Sequence, residues 1–438
     1  MRRFRSKLPG MSDPLQAISA AYDVLRSLSF GDRAAGLRRA ADLLEQSSGD
    51  FARLMAEEMG KPVAQGKMEV EKCAKVCRYY AAHAETMLAP VTVEGATVMH
   101  QPLGPVLAIM PWNFPFWQVF RFAAPALMAG NTILLKHASN VSGCAKAIEG
   151  IFDQAYESSD FVKAVFVSGK EVEPLIADPR IRAVTFTGST QAGRRVGAAA
   201  GKHLKKSVLE LGGSDPYLVL EDADLEAAAT TCAAARMGNG GQSCIAAKRF
   251  LVVDSAHDEF VALLREELSR YVPGDPFQEE TLLGPMARGD LRDEIHGQVI
   301  DSLAAGAELL LGGEIPETAE LRGKPYYPAT LLAGVKPGMR VFDEETFGPV
   351  AAVTRVKNMQ EAIELANRSP FGLGAAVFSG NDARARSVAQ ALETGTVAIN
   401  AQVVSDPRFP FGGIKDSGWG RELGEHGIKE FVNVKTVR

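Results

Sequence analysis

The sequence lacks the features that mark several classes of protein. Its 438 residues include only five cysteines, an odd number scattered along the chain, so a disulfide framework is not indicated. The net charge of -5 gives no general attraction to nucleic acid or to an anionic membrane. No apolar run is long enough to predict a membrane-spanning helix. We therefore expect a cytoplasmic protein with reduced thiols and with no nucleic-acid or membrane partner.

Two further absences concern metals and leader peptides. Cys73 and Cys77 lie on a predicted helix, but no second Cys/His pair has zinc-like spacing, so no metal is expected. The basic start, Met1–Lys7, has no apolar segment behind it and is not a secretory signal. We interpret it as a disordered tail, with Ser12 and Asp13 capping the first helix; an organelle-targeting fragment and an upstream start are the alternatives.

The patterns that are present predict an α/β protein of two or three domains. Hydrophobic residues make up 46% of the chain and charged residues 23%, as in globular proteins, and the length exceeds that of one ordinary core. Helical spacing dominates residues 13–87. Short apolar runs then alternate with helices, which is typical of a parallel sheet covered on both faces. These runs are Val106–Met110, Thr132–Leu135, Ala164–Val167, Ala183–Phe186 and Ser207–Leu209.

A second α/β unit is predicted after Gly213. Its strands are expected at Pro216–Leu220, Phe250–Val253, Leu309–Leu311, Ala351–Arg355, Ala375–Phe378 and Thr396–Ile399, with helices between them. A hairpin near residues 91–101 and an alternating C-terminal tail indicate sheet edges that favour self-association.

One cysteine stands out by its neighbours. Cys244 ends the run Asn239–Ser243, in which Gly240 and Gly241 can adopt backbone angles closed to other residues and let another molecule come close. A thiol there could meet a substrate. The alternative is a free cysteine in a flexible loop.

Four polar residues at predicted strand ends or turns could also carry chemistry. Glu210, before two glycines, could be a half-buried base with a raised pKa, or a surface acid before a turn. Asn113 lies between two prolines and could donate to an oxyanion, or form part of a rigid aromatic turn. Ser189 could cap the next helix or help its free N–H groups bind a phosphate. Glu345 could bind ribose hydroxyls or lie in a solvated acidic loop.

The ordered set of motifs resembles the aldehyde dehydrogenase superfamily, and most of all its short bacterial-type succinate-semialdehyde dehydrogenases. The motifs are PWNFP, FTGST, LELGG, GQSC, EETFGPV and PFGGIKDSGWGRE. The resemblance runs from about residue 20 to the C-terminus. It implies a Rossmann-like NAD(P)-binding domain (residues 1–84 and 103–212), an α/β catalytic domain (213–409) and a small β oligomerisation element (85–102 and 424–438) of a dimer or tetramer.

The resemblance also implies roles for single residues. Cys244 would add to the aldehyde carbon, and Asn113 with the Cys244 backbone N–H would bind the oxyanion of the thiohemiacetal. Hydride would pass to the nicotinamide, and Glu210 would activate the water that hydrolyses the thioester. Glu422 is a candidate for proton relay. Cofactor contacts are implied for Trp112, Lys136, Ser139, Gly188, Ser189, Leu211, Glu345 and Phe347.

One departure from the resemblance concerns the cofactor. Relatives that prefer NAD commonly carry Glu where Ser139 stands. A carboxylate would repel a 2′-phosphate, whereas a serine can donate a hydrogen bond to it. We therefore expect the chain to use NADP as well as NAD, and to be capable of preferring NADP.

The other departures concern the substrate. Arg121, nine residues after Trp112, matches succinate-semialdehyde dehydrogenases and would hold the distal carboxylate bidentately. An Arg paired with a surface acid is the alternative. Gly238 stands where that group has a second carboxylate-binding Arg, so the candidates for its role are Arg236, Arg408 and Ser405. A dehydrogenase of another small aliphatic or phosphorylated aldehyde, or a structural protein that retains the fold, are the alternative functions.

Overall fold

The computed structural model describes residues 13–157, 160–316, 321 and 323–438, so the predicted tail and Ser12 lie outside the described residues. The α-helices are α1 (Pro14–Ser27), α2 (Phe30–Gln46), α3 (Ser48–Met59), α4 (Val63–Met87), α5 (Trp117–Ala129), α6 (Ser142–Ala155), α7 (Val172–Ala177), α8 (Thr190–Lys202), α9 (Leu225–Met237), α10 (Asp254–Ser269), α11 (Gly289–Ala304), α12 (Arg340–Asp343), α13 (Met359–Asn367), α14 (Asp382–Ala391) and α15 (Gly424–Lys429). The β-strands are β1 (Val91–Val93), β2 (Ala96–Pro102), β3 (Val106–Met110), β4 (Ile133–His137), β5 (Val162–Ala164), β6 (Ala183–Thr187), β7 (Lys206–Glu210), β8 (Asp215–Val219), β9 (Ala247–Val253), β10 (Glu308–Leu311), β11 (Thr330–Ala333), β12 (Val350–Val356), β13 (Phe371–Gly372), β14 (Gly374–Phe378), β15 (Thr396–Ile399), β16 (Ile414–Lys415), β17 (Gly418–Trp419) and β18 (Val432–Val437). Short 3-10 helices span Ser139–Val141, Gly169–Glu171 and Gly238–Gly241.

The first large sheet has the strand order β17-β7-β6-β3-β4-β5. All its neighbours are parallel except β17, which pairs antiparallel with β7. Strands β3 and β6 are buried along their whole length, because helices cover the sheet on both faces. The loops that carry Trp112 and Gly188 follow the carboxyl ends of these two strands, where open α/β sheets bind ligands.

The second large sheet has the order β10-β11-β12-β9-β8-β14-β15 and is parallel apart from β10. The first sheet contributes to two apolar clusters, and the second sheet lies in a third. The predicted α/β class is therefore confirmed, while the exact domain boundaries stay a prediction.

A third, small sheet joins the two segments that the family resemblance assigns to an oligomerisation element. Strand β1 pairs antiparallel with β2, and β2 pairs antiparallel with β18 over the register Val432–Val437 against Thr97–Pro102. Val91, Val93, Val434 and Val437 are exposed on it. The sheet therefore presents apolar side chains to solvent.

Helix α5 is fixed by a charge from another helix. The carboxylate of Glu69, on α4, accepts hydrogen bonds of 2.9 Å from the backbone N–H groups of Phe116 and Trp117. It also pairs with the buried ammonium of Lys61. A carboxylate at a helix N-terminus accepts hydrogen bonds from the free backbone N–H groups and interacts favourably with the positive end of the helix dipole. The start of α5, which follows the Asn113 turn, is therefore anchored in the core.

Two predictions about local structure have clear outcomes, and two strands were missed. Asp13 caps α1, since its Oδ1 accepts from the N–H of Leu15 at 3.1 Å. The strand predicted at Ala164–Val167 is wrong: β5 lies at Val162–Ala164, and Phe166 is 57% exposed beyond the sheet. Strands β11 and β17 were not predicted, because neither forms a long apolar run.

The described helices include none that is both long and apolar enough to cross a membrane. Among the same residues, no cluster of three or more His, Cys, Asp or Glu side chains is arranged to hold a metal ion.

Candidate active site

A cavity of about 510 Å³, called the active-site cavity below, opens at the carboxyl ends of β3, β6 and β7, where they face α11. The rings of Trp112 and Phe347 meet edge to face on it, with centroids 5.8 Å apart. The predicted site residues that line it are Trp112, Asn113, Gly188, Ser189, Leu211, Cys244, Glu345 and Phe347. Residues from both large sheets therefore share one cavity.

The loop before Cys244 has an unusual backbone. Asn239, Gly240 and Gly241 all adopt left-handed conformations, with φ of 55°, 62° and 71°. A Cβ on Gly241 would collide with the carbonyl oxygen of Gly348. The sequence interpretation that the glycines admit another molecule is therefore corrected for Gly241, which makes room for the chain's own backbone, and stays a prediction for Gly240.

Arg236 holds this loop in place. Its Nη2 donates to the carbonyl oxygens of Gly241 and Thr346, each at 3.1 Å, and also to that of Gly348. Its Nη1 donates to the carbonyl oxygen of Ala247 at 3.3 Å. The side chain is fully buried, so the suggestion that Arg236 binds the substrate carboxylate is wrong.

Asn113 is oriented by the same loop. Nδ2 of Asn113 donates to the backbone carbonyl oxygen of Gln242 at 3.0 Å. The backbone carbonyl oxygen of Asn113 accepts from Nδ2 of Asn239 at 2.8 Å. Because a carbonyl oxygen can only accept, the amide nitrogen of Asn113 must face the loop. The second hydrogen on Nδ2 is left for an oxyanion beside Cys244, which lines the same cavity.

The thiol of Cys244 is not a thiolate at rest. Burial raises its pKa to about 11, and the positive charges of Arg121 and Lys248 offset only part of that effect. The thiol therefore carries its proton near neutral pH, and the proton has to leave during attack on a substrate.

Glu210 is more deeply buried than the sequence suggested. Its side chain is 2% exposed, and neither carboxyl oxygen has a hydrogen-bond partner among the described residues. Burial raises its pKa well above the usual range; Arg121 opposes this shift and Glu422 adds to it. Its neighbour Leu211 lines the active-site cavity, whereas the Glu210 carboxyl lies against Gly412. Glu210 is thus a hidden, protonatable group one residue from the cavity wall.

The position of Arg121 corrects the prediction that it lies in the mouth of the site. Its guanidinium is 2% exposed and forms an ion pair with buried Glu422. One Nη donates to Thr187 at 3.4 Å, and Thr187 is the residue that lines the cavity. Arg121 therefore lies behind the wall, and the acid it meets is buried rather than on the surface. Glu422, the candidate for proton relay, also has a raised pKa because it is buried.

The cavity fits a dinucleotide on its α8 side. Ser189 caps this helix, since its Oγ accepts from the N–H of Ala192 at 3.4 Å, and Gly188 and Ser189 both face the cavity. The N-terminus of a helix of 13 residues carries partial positive charge and free N–H groups, which suit a pyrophosphate. Both roles considered for Ser189 are therefore compatible.

Glu345 also lines the active-site cavity. Its Oε1 accepts from Nζ of Lys248 at 2.7 Å and from the N–H of Gly213 at 3.2 Å. Its Oε2 faces Gly212, which also lines the cavity. That oxygen is free to accept from a ribose hydroxyl.

Lys136 and Ser139 are not among the residues that line the cavity. They lie in and just after β4, the strand next to β3. Lys136 is at the carboxyl end of β4, next to Ile109 of β3, and burial lowers its pKa. Ser139 is exposed at the start of a 3-10 helix. Their contacts to a cofactor stay a prediction.

The two remaining substrate candidates, Arg408 and Ser405, differ in their burial. Arg408 is 65% exposed, pairs with Asp406 at 2.7 Å and is not among the residues that line the active-site cavity, so its role in substrate binding stays a prediction. Ser405 is buried, and its Oγ accepts from Nζ of Lys72 at 2.8 Å and from Nε1 of Trp117 at 3.1 Å.

Several residues of the site were missed from the sequence. Gln118 follows the PWNFP turn and lines the cavity, and one face of α11 supplies Leu291, Ile295 and Gln298. Their spacing of four and three residues is a helical signal that was available. Nothing in the sequence tied that helix to the site, because its contact with Glu344 and Glu345 is made only in the folded chain.

Comparisons with known proteins agree with this geometry. The model of the aldehyde dehydrogenase family matches residues 11–437. A protein of Synechocystis sp. described as a "probable succinate-semialdehyde dehydrogenase [NADP(+)]" is 49% identical over 427 residues, covering 97% of this chain and 93% of that protein. The succinate semialdehyde dehydrogenase [NAD(P)+] of Escherichia coli is 47% identical, covering 98% and 92%.

A solved structure is similar over the whole chain. It is the succinic semialdehyde dehydrogenase of Streptococcus pyogenes in complex with NADP+ as the cofactor, with a TM-score of 0.94 and 35% identity, covering 100% of this chain and 97% of that one. The fold, the motifs and the cavity thus agree with these matches. The chain belongs to the aldehyde dehydrogenase family, as its ordered motifs predicted.

Proposed function

We propose that the protein oxidises succinate semialdehyde to succinate with NADP or NAD. The observation that carries the reaction type is the meeting of Cys244 and Asn113 in one cavity with the N-terminus of α8. The substrate is supported by the names of the similar proteins, which are succinate-semialdehyde dehydrogenases at 47% and 49% identity. Another small aldehyde remains the second candidate.

Cys244 and Asn113 would perform the first half of the reaction. The thiol sulfur of Cys244 attacks the aldehyde carbon, the thiol proton passes to solvent water, and the carbonyl oxygen becomes an oxyanion. Nδ2 of Asn113, held by Gln242, donates to that oxyanion and stabilises it. Bound NAD(P) supplies the hydride acceptor that turns the thiohemiacetal into a thioester.

Glu210 would serve the second half. Its carboxylate takes a proton from the water that attacks the thioester, which releases the acid and the Cys244 thiol. The raised pKa of Glu210 suits a base near neutral pH, because a carboxylate with an ordinary pKa accepts protons poorly there. Its carboxyl has to turn from Gly412 toward the cavity, and no hydrogen bond within the described residues opposes that turn.

The experiment is a panel of aldehydes with each cofactor, followed by absorbance of the reduced nicotinamide. We expect turnover with succinate semialdehyde at a higher kcat/KM than with butanal. Cys244→Ser should lose at least a thousandfold in kcat, because the hydroxyl lacks the nucleophilicity of the thiol. Cofactor reduction by no aldehyde would favour a protein that retains the fold without the activity. Turnover best with another aldehyde would replace the substrate but keep the reaction.

We also propose that the chain self-associates as a dimer or tetramer through the small sheet of β1, β2 and β18. Its exposed Val91, Val93, Val434 and Val437 support this, since apolar side chains on a sheet edge favour pairing with another chain. A cytoplasmic location is part of the same proposal, since Cys73, Cys77, Cys144, Cys232 and Cys244 are all free.

A further inference from the structure

One buried lysine contacts the backbone of the proposed nucleophile. Lys248 lies on β9, four residues after Cys244, and its side chain is completely buried. Its Nζ donates to the backbone carbonyl oxygen of Cys244 at 2.8 Å, to that of Gly213, and to Oε1 of Glu345 at 2.7 Å. Three acceptors therefore take the three N–H donors of one ammonium. A charge this deeply buried is tolerated only when it is paired and hydrogen-bonded, as it is here.

The three acceptors of Lys248 belong to separate segments of the site. Cys244 carries the thiol, and Gly213 ends the LELGG motif. These two segments pack backbone against backbone, since a Cβ on Gly213 would lie 2.8 Å from the carbonyl oxygen of Cys244. Glu345 comes from the loop before β12 and lines the active-site cavity. One side chain thus links the nucleophile, the segment of the base and the acid assigned to the ribose.

The contact with Glu345 decides which of its oxygens can meet a ligand. Lys248 and the N–H of Gly213 both donate to Oε1, so this oxygen is occupied. Oε2 faces Gly212, which lines the cavity. The ammonium therefore holds the carboxylate in the orientation that directs Oε2 toward a ribose hydroxyl. Without Lys248, the described hydrogen bonds of this carboxylate reduce to the one of 3.2 Å from Gly213.

The charge of Lys248 also reaches the thiol. Burial raises the pKa of Cys244, and Arg121 on α5 and Lys248 on β9 are the positive charges that oppose this rise. Glu345 and Asp215, at the start of β8, act in the other direction. Because Lys248 is bonded to the carbonyl oxygen of Cys244 itself, its place beside the thiol is set by the loop that carries the thiol.

We propose that Lys248 is a positioning residue with two effects: it holds Glu345 for a ribose hydroxyl of the cofactor, and its charge favours the thiolate of Cys244. The inference rests on the proposed function, since it takes Cys244 as the nucleophile and Glu345 as a cofactor contact. The thiol proton passes to solvent water and not to Lys248, because an ammonium has no acceptor. Lys248 is buried behind both residues and acts only through them.

Alkylation of the enzyme by iodoacetamide, without cofactor or substrate, measures the effect on the thiol, because the thiolate is the species that reacts. The other four cysteines are completely buried, and Cys244→Ser gives the background rate. Lys248→Gln keeps hydrogen-bond donors at this position but removes the charge. It should lower the alkylation rate at about pH 9 by about threefold to tenfold, which corresponds to a rise of about 0.5 to 1 in the pKa of the thiol. Lys248→Arg should recover most of the loss, because arginine keeps its charge.

Titration with NADP+, followed by tryptophan fluorescence, measures the effect on Glu345. Lys248→Gln should raise the dissociation constant by about threefold to tenfold, the size of one lost hydrogen bond. The same substitution in a Glu345→Gln background should have no further effect on the dissociation constant, because the acid through which Lys248 acts is gone. In that background it should still lower the alkylation rate, since the charge acts on the thiol directly.

Lys205 offers a matched control. Its Nζ also donates to two backbone carbonyl oxygens, those of Asp178 and Ile181, but none of these three residues lines the active-site cavity. Lys205→Gln should therefore leave both the alkylation rate and the dissociation constant within about twofold of those of the unaltered enzyme.

A further variant keeps the test open if substitution of the buried lysine unfolds the chain. The side chain of Glu345 is 20% exposed, so Glu345→Gln disturbs the core less than a change at Lys248. It leaves the charge of Lys248 without its anionic partner, so the alkylation rate should rise by about threefold or more. An unchanged or lower rate would refute the effect of the charge on the thiol.

The outcomes separate the role of Lys248 from the reaction itself. An alkylation rate and a dissociation constant that stay unchanged in Lys248→Gln would overturn the proposal. A loss of alkylation that persists in Lys248→Arg would show that geometry and not charge is responsible. A further loss of NADP+ affinity in the double variant would contradict the route through Glu345. Absence of turnover with every aldehyde in the unaltered enzyme would overturn the proposed function and leave both measurements on Lys248 in force.

Discussion

Burial raises the pKa of Glu210, the ion pair of Arg121 and Glu422 adjusts it, and the two partners of that pair can be removed one at a time. Both acids are buried, and one guanidinium serves both. Arg121 lowers the pKa of Glu210, whereas Glu422 raises it. Arg121→Met should therefore move the acid limb of the kcat profile to higher pH, and Glu422→Gln should move it to lower pH.

The size of each shift follows from the order of the causes. An opposite charge close to a carboxyl shifts its pKa by about one to three units. The effect of Arg121 on Glu210 exceeds that of Glu422, so we expect about one unit or more upward for Arg121→Met and a smaller shift downward for Glu422→Gln. One unit corresponds to about a tenfold change in rate at a pH on the limb.

The free energy of unfolding of the variants serves as the control for the pH profiles. Arg121→Met leaves Glu422 buried without its partner, which costs about 3–5 kcal/mol of unfolding free energy. The double variant Arg121→Met/Glu422→Gln should regain most of that loss, since neither charge remains. Urea unfolding measures both variants.

The assay is kcat with saturating butanal and cofactor, under conditions in which a burst of reduced nicotinamide shows that thioester hydrolysis limits turnover. Butanal is used because it has no carboxylate, so changes in substrate binding do not enter. Shifts of the same sign in both single variants would refute the reasoning. A tenfold rise in KM for succinate semialdehyde alone in Arg121→Met, with the butanal profile unchanged, would restore Arg121 as the direct carboxylate ligand.

Two further predictions concern the cofactor and the assembly. Ser139→Glu should lower kcat/KM with NADP at least tenfold and leave that with NAD within threefold, because a carboxylate at this exposed position repels a 2′-phosphate but accepts from a 2′-hydroxyl; equal losses with both cofactors would place Ser139 away from the ribose. Light scattering should give a mass of two or four times 46.9 kDa for the unaltered chain, and Val434→Glu, on the exposed face of β18, should lower it; a monomer in both cases would contradict the proposed interface.

Much of the site could be predicted because it follows strands. A parallel sheet brings the residues after its strands to one edge, which is why Asn113, Ser189 and the turn after Glu210, each placed at a strand end or turn by the sequence, lie near one another in the fold. The pairing of the 91–101 hairpin with the C-terminal tail goes beyond the sequence prediction, which treats both only as sheet edges that favour self-association.

The contacts that give the site its charge pattern could not be predicted in this way. Arg121 pairs with Glu422 across the whole fold, and Lys72 reaches Ser405 over 333 residues of sequence. Such contacts depend on how α4 and α5 pack beside the last loops. The sequence shows the chemistry of each residue but not its partner, which is why it predicts Arg121 in the mouth of the site although the folded chain buries its side chain beside Glu422.

The anchor formed by Arg236 has a consequence for how the enzyme responds to its ligands. One guanidinium fastens the loop that carries Cys244 to the stretch that carries Phe347, through the carbonyls of Gly241, Thr346 and Gly348. The segment with Phe347, which a nicotinamide would contact, and the loop that positions Cys244 are thus linked rigidly by one side chain. A displacement of either one is transmitted to the other, so cofactor affinity and thiol reactivity should rise and fall together in variants of this region.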